Sequence, residues 1–194
     1  MKYMYLVILI LSSLIAKAQR NGYYITAAGD TVPAFIHLKK DVFGPYSRVG
    51  VQQEVRISAD SLQQPRVYKP GEIRSFFVNS PAGSFTYSSL PLEKDKWRFW
   101  NAVILTPKTS LYEYRTFRGT SHGGMGESIS YTIVKGDTNY LYIYNRNQAK
   151  LKKRLKEFYK DDEAILKIIE PLFKEPGRVD RDLKLMFERI RSMA

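Results

Sequence analysis

A serine beside a histidine is the first feature of this sequence that could carry chemistry. The stretch Gly119-Thr-Ser121-His-Gly123 matches the G-x-S-x-G pattern of hydrolase nucleophile elbows, which need a helix directly after the serine. The following residues are rich in glycine and lead into a strand-like run over residues 129–134, so that helix is missing. A triad of this type also needs a histidine after the acid, and the chain has only His37 and His122. The pattern therefore predicts a glycine-rich hairpin loop and no catalytic residue.

The residue types and their spacing also give little support for a metal or cofactor site. A site on both histidines would need carboxylates such as Asp30 or Glu127, and nothing in the spacing brings them together. The chain has no cysteine, which excludes thiolate catalysis and zinc held by cysteine. Residues 123–126 lack the Lys-Ser/Thr pair of a phosphate-binding loop. We therefore expect no metal and no cofactor.

Acidic side chains leave one catalytic alternative open. Glu113, Glu127 and Asp137 could act as paired carboxylates, with which glycosidases work without cysteine or histidine. The alternation along strands offers no acidic pair that the sequence alone can place across a cleft. A hydrolase acting on an envelope glycan polymer is thus the alternative to a non-catalytic binding or structural module.

The first 18 residues have the pattern of a cleavable export signal. Lys2 precedes an apolar run over residues 6–15, and Ala16-Lys17-Ala18 supplies a cleavage site of small residues. At 1.5 Å per residue this run covers about half of a hydrocarbon core of about 30 Å, which argues against an anchor. We expect a periplasmic or secreted protein with no transmembrane span. Cleavage removes two lysines and lowers the formal net charge from +12 to +10.

A basic segment near the C-terminus is the main candidate for binding. Residues 149–160 carry a net charge of +5, and apolar residues recur among the cations at helical spacing. An exported chain rarely meets nucleic acid, so the expected partners are lipopolysaccharide, anionic phospholipid, an acidic glycan or another envelope protein. A solvated outer face is the alternative. The candidate residues are Lys150, Lys152, Lys153, Arg154 and Lys156.

Aromatic residues suggest a second binding hypothesis. Trp97, Phe99 and Trp100, with 14 tyrosines in the chain, could form a platform on which sugars stack. Aromatic side chains at strand spacing are more often part of a core or of a half-buried sheet surface. Both interpretations stay open at this point.

The larger, N-terminal part of the chain has the pattern of strands. Short runs rich in Tyr, Val, Ile, Phe and Thr alternate with Gly, Pro, Asp and Asn up to about residue 145. In residues 110–117 the alternation puts Leu111 and Glu113 on one face and Tyr112 and Tyr114 on the other. The predicted strands cover residues 23–26, 32–38, 49–57, 73–78, 84–88, 98–105, 110–117, 129–134 and 140–144.

Helical spacing replaces the strand pattern after residue 147. Leu151, Leu155 and Phe158 mark a first helix, and Asp161 and Asp180 are predicted caps of a second and a third. Runs of strands followed by helices predict the α+β class. We expect an antiparallel β-rich body over residues 22–145, as a sandwich or an open barrel or roll. Two or three helices should follow in residues 147–194, within a single domain over residues 19–194.

Several short motifs occur in an order that resembles a known family. They are Gly22-Tyr-Tyr-Ile-Thr26 with Gly29-Asp-Thr31, Tyr68-Lys-Pro-Gly-Glu-Ile-Arg-Ser-Phe76, Tyr87-Ser-Ser-Leu90 and Ser110-Leu-Tyr-Glu-Tyr114, followed by a helical C-terminus. The set is similar to uncharacterised exported proteins of Gram-negative bacteria that carry signal peptides. The resemblance implies a fold and an exported location, and it implies no activity, cofactor or catalytic residue.

Overall fold

A computed structural model describes residues 20–38, 48–93, 96–119, 125–136, 138–144, 147–175 and 177–193. The predicted signal peptide, residues 1–18, lies outside the described residues. The strands of the described part are β1 Gly22–Thr26, β2 Thr31–His37, β3 Val55–Ser58, β4 Arg66–Tyr68, β5 Ile73–Ser80, β6 Gly83–Glu93, β7 Lys96–Leu105, β8 Thr109–Gly119, β9 Met125–Lys135 and β10 Asn139–Ile143. Its helices are α1 Arg48–Val51, α2 Gln148–Phe158, α3 Glu163–Ile169 and α4 Val179–Arg191.

The predicted fold class is confirmed. The ten strands of the described residues belong to an antiparallel sheet, and three helices follow it in the sequence. Among the described residues, no helix combines the length and the apolar character needed to cross a bilayer.

One predicted strand is wrong in its first half. The sequence predicts a strand over residues 49–57, but Arg48–Val51 forms the helical turn α1 and strand pairing begins only at Val55. The amide of Gln52 donates to the carbonyl of Val49 at 3.2 Å, so local turn bonds satisfy this backbone. Val51 is nevertheless buried, because a single helical turn also points one apolar side chain into the core. The short strand β4 gave no sequence signal, because three residues show no periodicity.

The predicted starts of the second and third C-terminal helices lie close to the observed ones, but both predicted N-cap residues are wrong. Asp162, one residue after the predicted Asp161, caps α3 by accepting a hydrogen bond from the amide of Ile165 at 3.2 Å. Asp180 lies inside the first turn of α4, and Arg178 stands at the cap position without a side-chain cap bond. An acid in the first turn still interacts favourably with the positive end of the helix dipole, so the same residue type suits both positions.

The chain divides into two compact units, Met1–Phe99 and Trp100–Ala194, and the boundary lies within β7. The predicted single domain over residues 19–194 stays a prediction. In the first unit the strand order is β6-β5-β1-β2-β3-β4. Its core lies on one face of these strands, where the ring of Phe76 stacks on Tyr87 at 5.0 Å and meets the edge of Phe99 at 5.1 Å.

The second unit carries the C-terminal helices. Its strands run in the order β10-β9-β8-β7, and β8 pairs with β9 from Thr109 opposite Lys135 to Gly119 opposite Met125. Apolar residues of these strands and of all three helices form one buried cluster, and each fully buried side chain is worth about 1.5–3 kcal/mol. Its most deeply buried members are Leu111, Ile133, Leu155, Tyr159, Ile169, Leu183, Met186 and Phe187. The helices therefore complete the core of this unit.

Candidate functional site

Helix α2 carries the five basic residues that the sequence singled out. Its N-terminus is capped by Asn147, whose side-chain oxygen accepts a hydrogen bond from the amide of Lys150 at 3.1 Å. Leu151 and Leu155 are buried in the core of the second unit, as the helical spacing predicts. At its C-terminal end, the hydroxyl of Tyr159 lies 2.7 Å from that of Thr109. The helix is thus fixed at both ends and along its apolar stripe.

Two of the five cations converge on one carboxylate. The Nζ atom of Lys156 lies 2.5 Å from Oε2 of Glu170, and Nζ of Lys152 lies 4.0 Å from Oε1. Lys152 also donates to the backbone carbonyl of Glu170. The hydrogen bond from Lys156, with the charges of Lys156, Lys152 and Lys174, holds the pKa of the Glu170 carboxyl below its usual range. Lys152 and Lys156 therefore tie α2 to the end of α3, a role that the sequence did not indicate.

The other three cations point elsewhere. Arg154 donates from Nη2 to the carbonyl oxygen of Tyr142 on β10 at 2.9 Å. Lys150 and Lys153 are exposed. The five residues are thus distributed around the outward side of α2: two face Glu170, one reaches β10, and two face solvent. Residues 150–160 together with Glu170 contain six basic and two acidic side chains, so the surface stays positive.

The proposed platform of Trp97, Phe99 and Trp100 does not form. Phe99 and Trp100 have no exposed surface, whereas 44% of Trp97 is exposed. Phe99 belongs to the core of the first unit, and Trp100 lies against Tyr114 in the second, with ring centroids 5.2 Å apart. Neighbouring strand residues point to opposite faces, so these three side chains could not share one surface. The hypothesis of a sugar platform on these residues was wrong.

A tyrosine ladder that runs along β10 to Tyr144, the residue after it, was not identified from the sequence. The rings of Tyr140 and Tyr142 stack at 6.2 Å, and those of Tyr142 and Tyr144 stack at 6.0 Å. Burial, followed by the proximity of Tyr144 and Tyr140, raises the pKa of Tyr142 to about 12. The spacing of two residues along a predicted strand was the signal that could have revealed this ladder.

The acidic residues of the enzymatic alternative are joined by an arginine. Oε1 of Glu113 accepts hydrogen bonds from Nε of Arg115 at 3.0 Å and from Nδ2 of Asn101 at 3.1 Å. Nη1 of the same arginine lies 2.6 Å from Oε2 of Glu127. Burial alone would lower the pKa of Arg115, but its hydrogen bonds and the charges of Glu113 and Glu127 outweigh burial and raise it. The structure therefore brings Glu113 and Glu127 to one guanidinium, while Asp137 lies outside the described residues.

The remaining candidates are separated or lie outside the described part. His37 has its Nε2 atom 2.7 Å from the hydroxyl of Ser58, and His122 is outside the described residues. The described residues contain no group of three or more side chains that could hold a metal ion. Ser121 also lies outside them, in the connection between Gly119 and Met125, which pair as neighbours of antiparallel strands. That connection joins two strands of a hairpin, whereas a nucleophile elbow joins a strand to a helix.

Comparison of the chain with known proteins identifies no relative. The chain matches no protein-family model, no curated protein and no solved structure. The resemblance to exported proteins of Gram-negative bacteria stays a prediction.

Proposed function

We propose that this protein is an exported, non-catalytic envelope or secreted module that attaches to a phosphate-bearing anionic surface through α2. The pattern of residues 1–18 supports export to the periplasm or beyond. The observation that carries the proposal is the basic outward side of α2, where Lys150 and Lys153 are exposed and the apolar residues Leu151 and Leu155 are buried. Lipopolysaccharide and anionic phospholipid are the ligands of matching charge.

The strength of such attachment follows from the number of cations that reach the surface. A basic side chain near an anionic membrane is worth about 1 kcal/mol, and charges within a Debye length of about 8 Å act together at physiological salt. Lys152 and Lys156 share the single carboxylate of Glu170, so one positive charge of this group remains uncompensated. We therefore expect weak attachment that depends on salt.

Sedimentation with anionic vesicles tests the proposal. The double variant Lys150→Glu and Lys153→Glu changes two exposed cations of α2 and leaves the contacts of Lys152 and Lys156 with Glu170 intact. Loss of two favourable charges alone should weaken attachment by about 30-fold, and reversal should weaken it further. Raising salt should release the unmodified protein.

A matched control keeps the net charge of that variant. Lys167→Glu with Lys184→Glu reverses two exposed lysines on α3 and α4 and should sediment like the unmodified protein. Attachment that is insensitive to salt and to the α2 reversal would contradict the proposal and leave α2 as a solvated outer face. An equal loss in the control would show that only net charge matters.

Export has its own test. The intact mass of the protein recovered from its native envelope should correspond to a chain that starts at Gln19, without Lys2 and Lys17. A mass that includes both lysines would contradict cleavage and restore the membrane anchor.

The enzymatic alternative rests on the meeting of Glu113 and Glu127 at Arg115. Two carboxylates can cleave a glycosidic bond when one acts as an acid and the other as a nucleophile or base. Release of reducing ends from purified envelope glycan that is lost in both Glu113→Gln and Glu127→Gln would support a hydrolase. No release by the unmodified protein would exclude it for that glycan.

A further inference from the structure

The first unit contains an open groove, separate from α2, that none of the sequence motifs indicated. It has a volume of about 500 Å³, which lies within the range of about 300–1,000 Å³ typical of ligand sites. Its lining residues are Arg20, Asn21, Gly22, Tyr23, Phe77 and Asn79. The aromatic part consists of Tyr23 and Phe77, whose rings stack with centroids 5.3 Å apart and planes inclined by 19°. Tyr23 is 37% exposed, so part of this pair is accessible to a ligand.

The groove is held rigidly by the backbone around it. The side chain of Asn21 donates to the carbonyl of Ile36 at 3.0 Å and accepts from the amide of Ile36 at 2.7 Å, as a paired strand residue would. The amide of Asn79 donates to the carbonyl of Asn21 at 2.7 Å. At Gly22, strands β1 and β5 approach so closely that a Cβ atom on this residue would lie 2.0 Å from the carbonyl oxygen of Phe77. These contacts fix the aromatic pair before any ligand arrives, which lowers the entropic cost of binding.

The described polar groups of the groove include a cation and hydrogen-bond donors. Arg20 is exposed and contributes a guanidinium, which matches the geometry of a carboxylate. The side-chain oxygen of Asn79 accepts from the hydroxyl of Ser84 at 3.1 Å, so Asn79 offers its amide hydrogens to a ligand. Among the lining residues that the structure describes, none is acidic. A ligand that fits should therefore have an apolar ring face and a negative charge.

We propose that this groove binds an acidic sugar residue of a glycan, such as a uronic acid. The C–H face of the pyranose ring lies on the ring of Tyr23, and the carboxylate pairs with Arg20. Because the groove is open to solvent, a sugar inside a longer chain fits as well as a terminal one. The proposal does not depend on the attachment of α2 to phosphate-bearing surfaces.

Titration with tri-galacturonic acid, followed by calorimetry on the full mature chain, tests this site. Tyr23→Ala should weaken binding by about tenfold, whereas Tyr23→Phe keeps the ring and should bind normally. Arg20→Gln should weaken binding of the acid to the level of its methyl ester, which the unmodified protein binds less tightly. Tyr144→Ala, which removes an exposed tyrosine of the second unit, is the matched control and should bind normally.

Three outcomes would overturn the proposal. They are no binding of the acid by the unmodified protein, equal binding of the acid and its methyl ester, and binding that survives Tyr23→Ala. The Lys150→Glu and Lys153→Glu variant should bind the trisaccharide normally. Loss of binding in that variant with retention in Tyr23→Ala would assign the sugar to α2 and refute the groove.

Discussion

Replacing Tyr159 by Phe removes one hydroxyl from a buried hydrogen-bond chain at the end of α2. The hydroxyl of Thr109 donates to the carbonyl of Val134 at 3.0 Å. Since that hydroxyl has a single hydrogen, the bond of 2.7 Å between Thr109 and Tyr159 must be donated by the tyrosine. Tyr159 has no exposed surface, so water cannot replace a lost partner.

Tyr159→Phe and Thr109→Val should therefore lower the free energy of unfolding by different amounts. Tyr159→Phe removes a donor and leaves Thr109 bonded to Val134, so it should lower the free energy of unfolding by about 1 kcal/mol. Thr109→Val leaves the buried hydroxyl of Tyr159 without an acceptor and takes a donor from Val134, which should cost about 2 kcal/mol. In the double variant the unpaired hydroxyl is gone. Adding Tyr159→Phe to Thr109→Val should thus cost nothing or restore stability.

Chemical unfolding of the four proteins, monitored by circular dichroism, measures this coupling. We expect an interaction energy of about 1 kcal/mol or more, well above the scatter of additive pairs. The variants should also unfold about 2–4 °C lower in temperature for each kcal/mol lost. Costs of the single variants that simply add in the double variant would refute a direct bond between the two hydroxyls.

Three further predictions concern other parts of the fold. Gly22→Ala should destabilise the first unit by about 2 kcal/mol in thermal unfolding, because its Cβ would lie 2.0 Å from the carbonyl of Phe77, and unchanged stability would contradict that close approach. Asp182→Ala should cost about 1–3 kcal/mol in chemical unfolding, since this buried carboxylate accepts from the amide of Phe173 at 3.0 Å, and Asp182→Asn should cost less because it keeps an acceptor. The raised pKa of Tyr142, about 12, means that the unfolded chain ionises first above pH 10. The contribution of Tyr142 to stability should therefore be fully present below pH 10 and be lost as the pH rises toward 12. Unfolding midpoints measured at each pH should fall less steeply over this range in Tyr142→Phe.

The α+β class and most strand positions could be predicted because they depend on local patterns. Alternation of apolar side chains marked β5, and helical spacing placed Leu151 and Leu155 in the core. The helical turn at Arg48–Val51 could not be predicted, because its apolar residues suit a strand equally well and only tertiary packing of Val51 distinguishes the two. Local propensity predicts secondary structure poorly where packing in the core determines the backbone conformation.

The candidate sites depended more strongly on tertiary contacts. The sequence identified the charge of α2, but it could not show that Lys152 and Lys156 bind Glu170 from another helix. A test that reverses Lys152 and Lys156 would therefore disturb the fold together with the charge, whereas Lys150 and Lys153 can be reversed separately. The groove at Tyr23 also escaped sequence reasoning, because β1 and β5 are separated by more than 40 residues and meet only through their pairing.

Sequence patterns are enough to establish which residues alternate, which recur at helical spacing, and how much positive charge the C-terminal segment carries. These properties are local, since side-chain direction follows from backbone geometry over a few residues. By contrast, Phe99 and Trp100 are buried, and Arg115 joins Glu113 to Glu127, through tertiary packing that the sequence patterns do not reveal. Burial and ion pairing depend on residues that are distant in sequence and close in space. Which side chains become buried or paired is therefore determined by strand pairing and helix packing, and a short sequence pattern does not specify these.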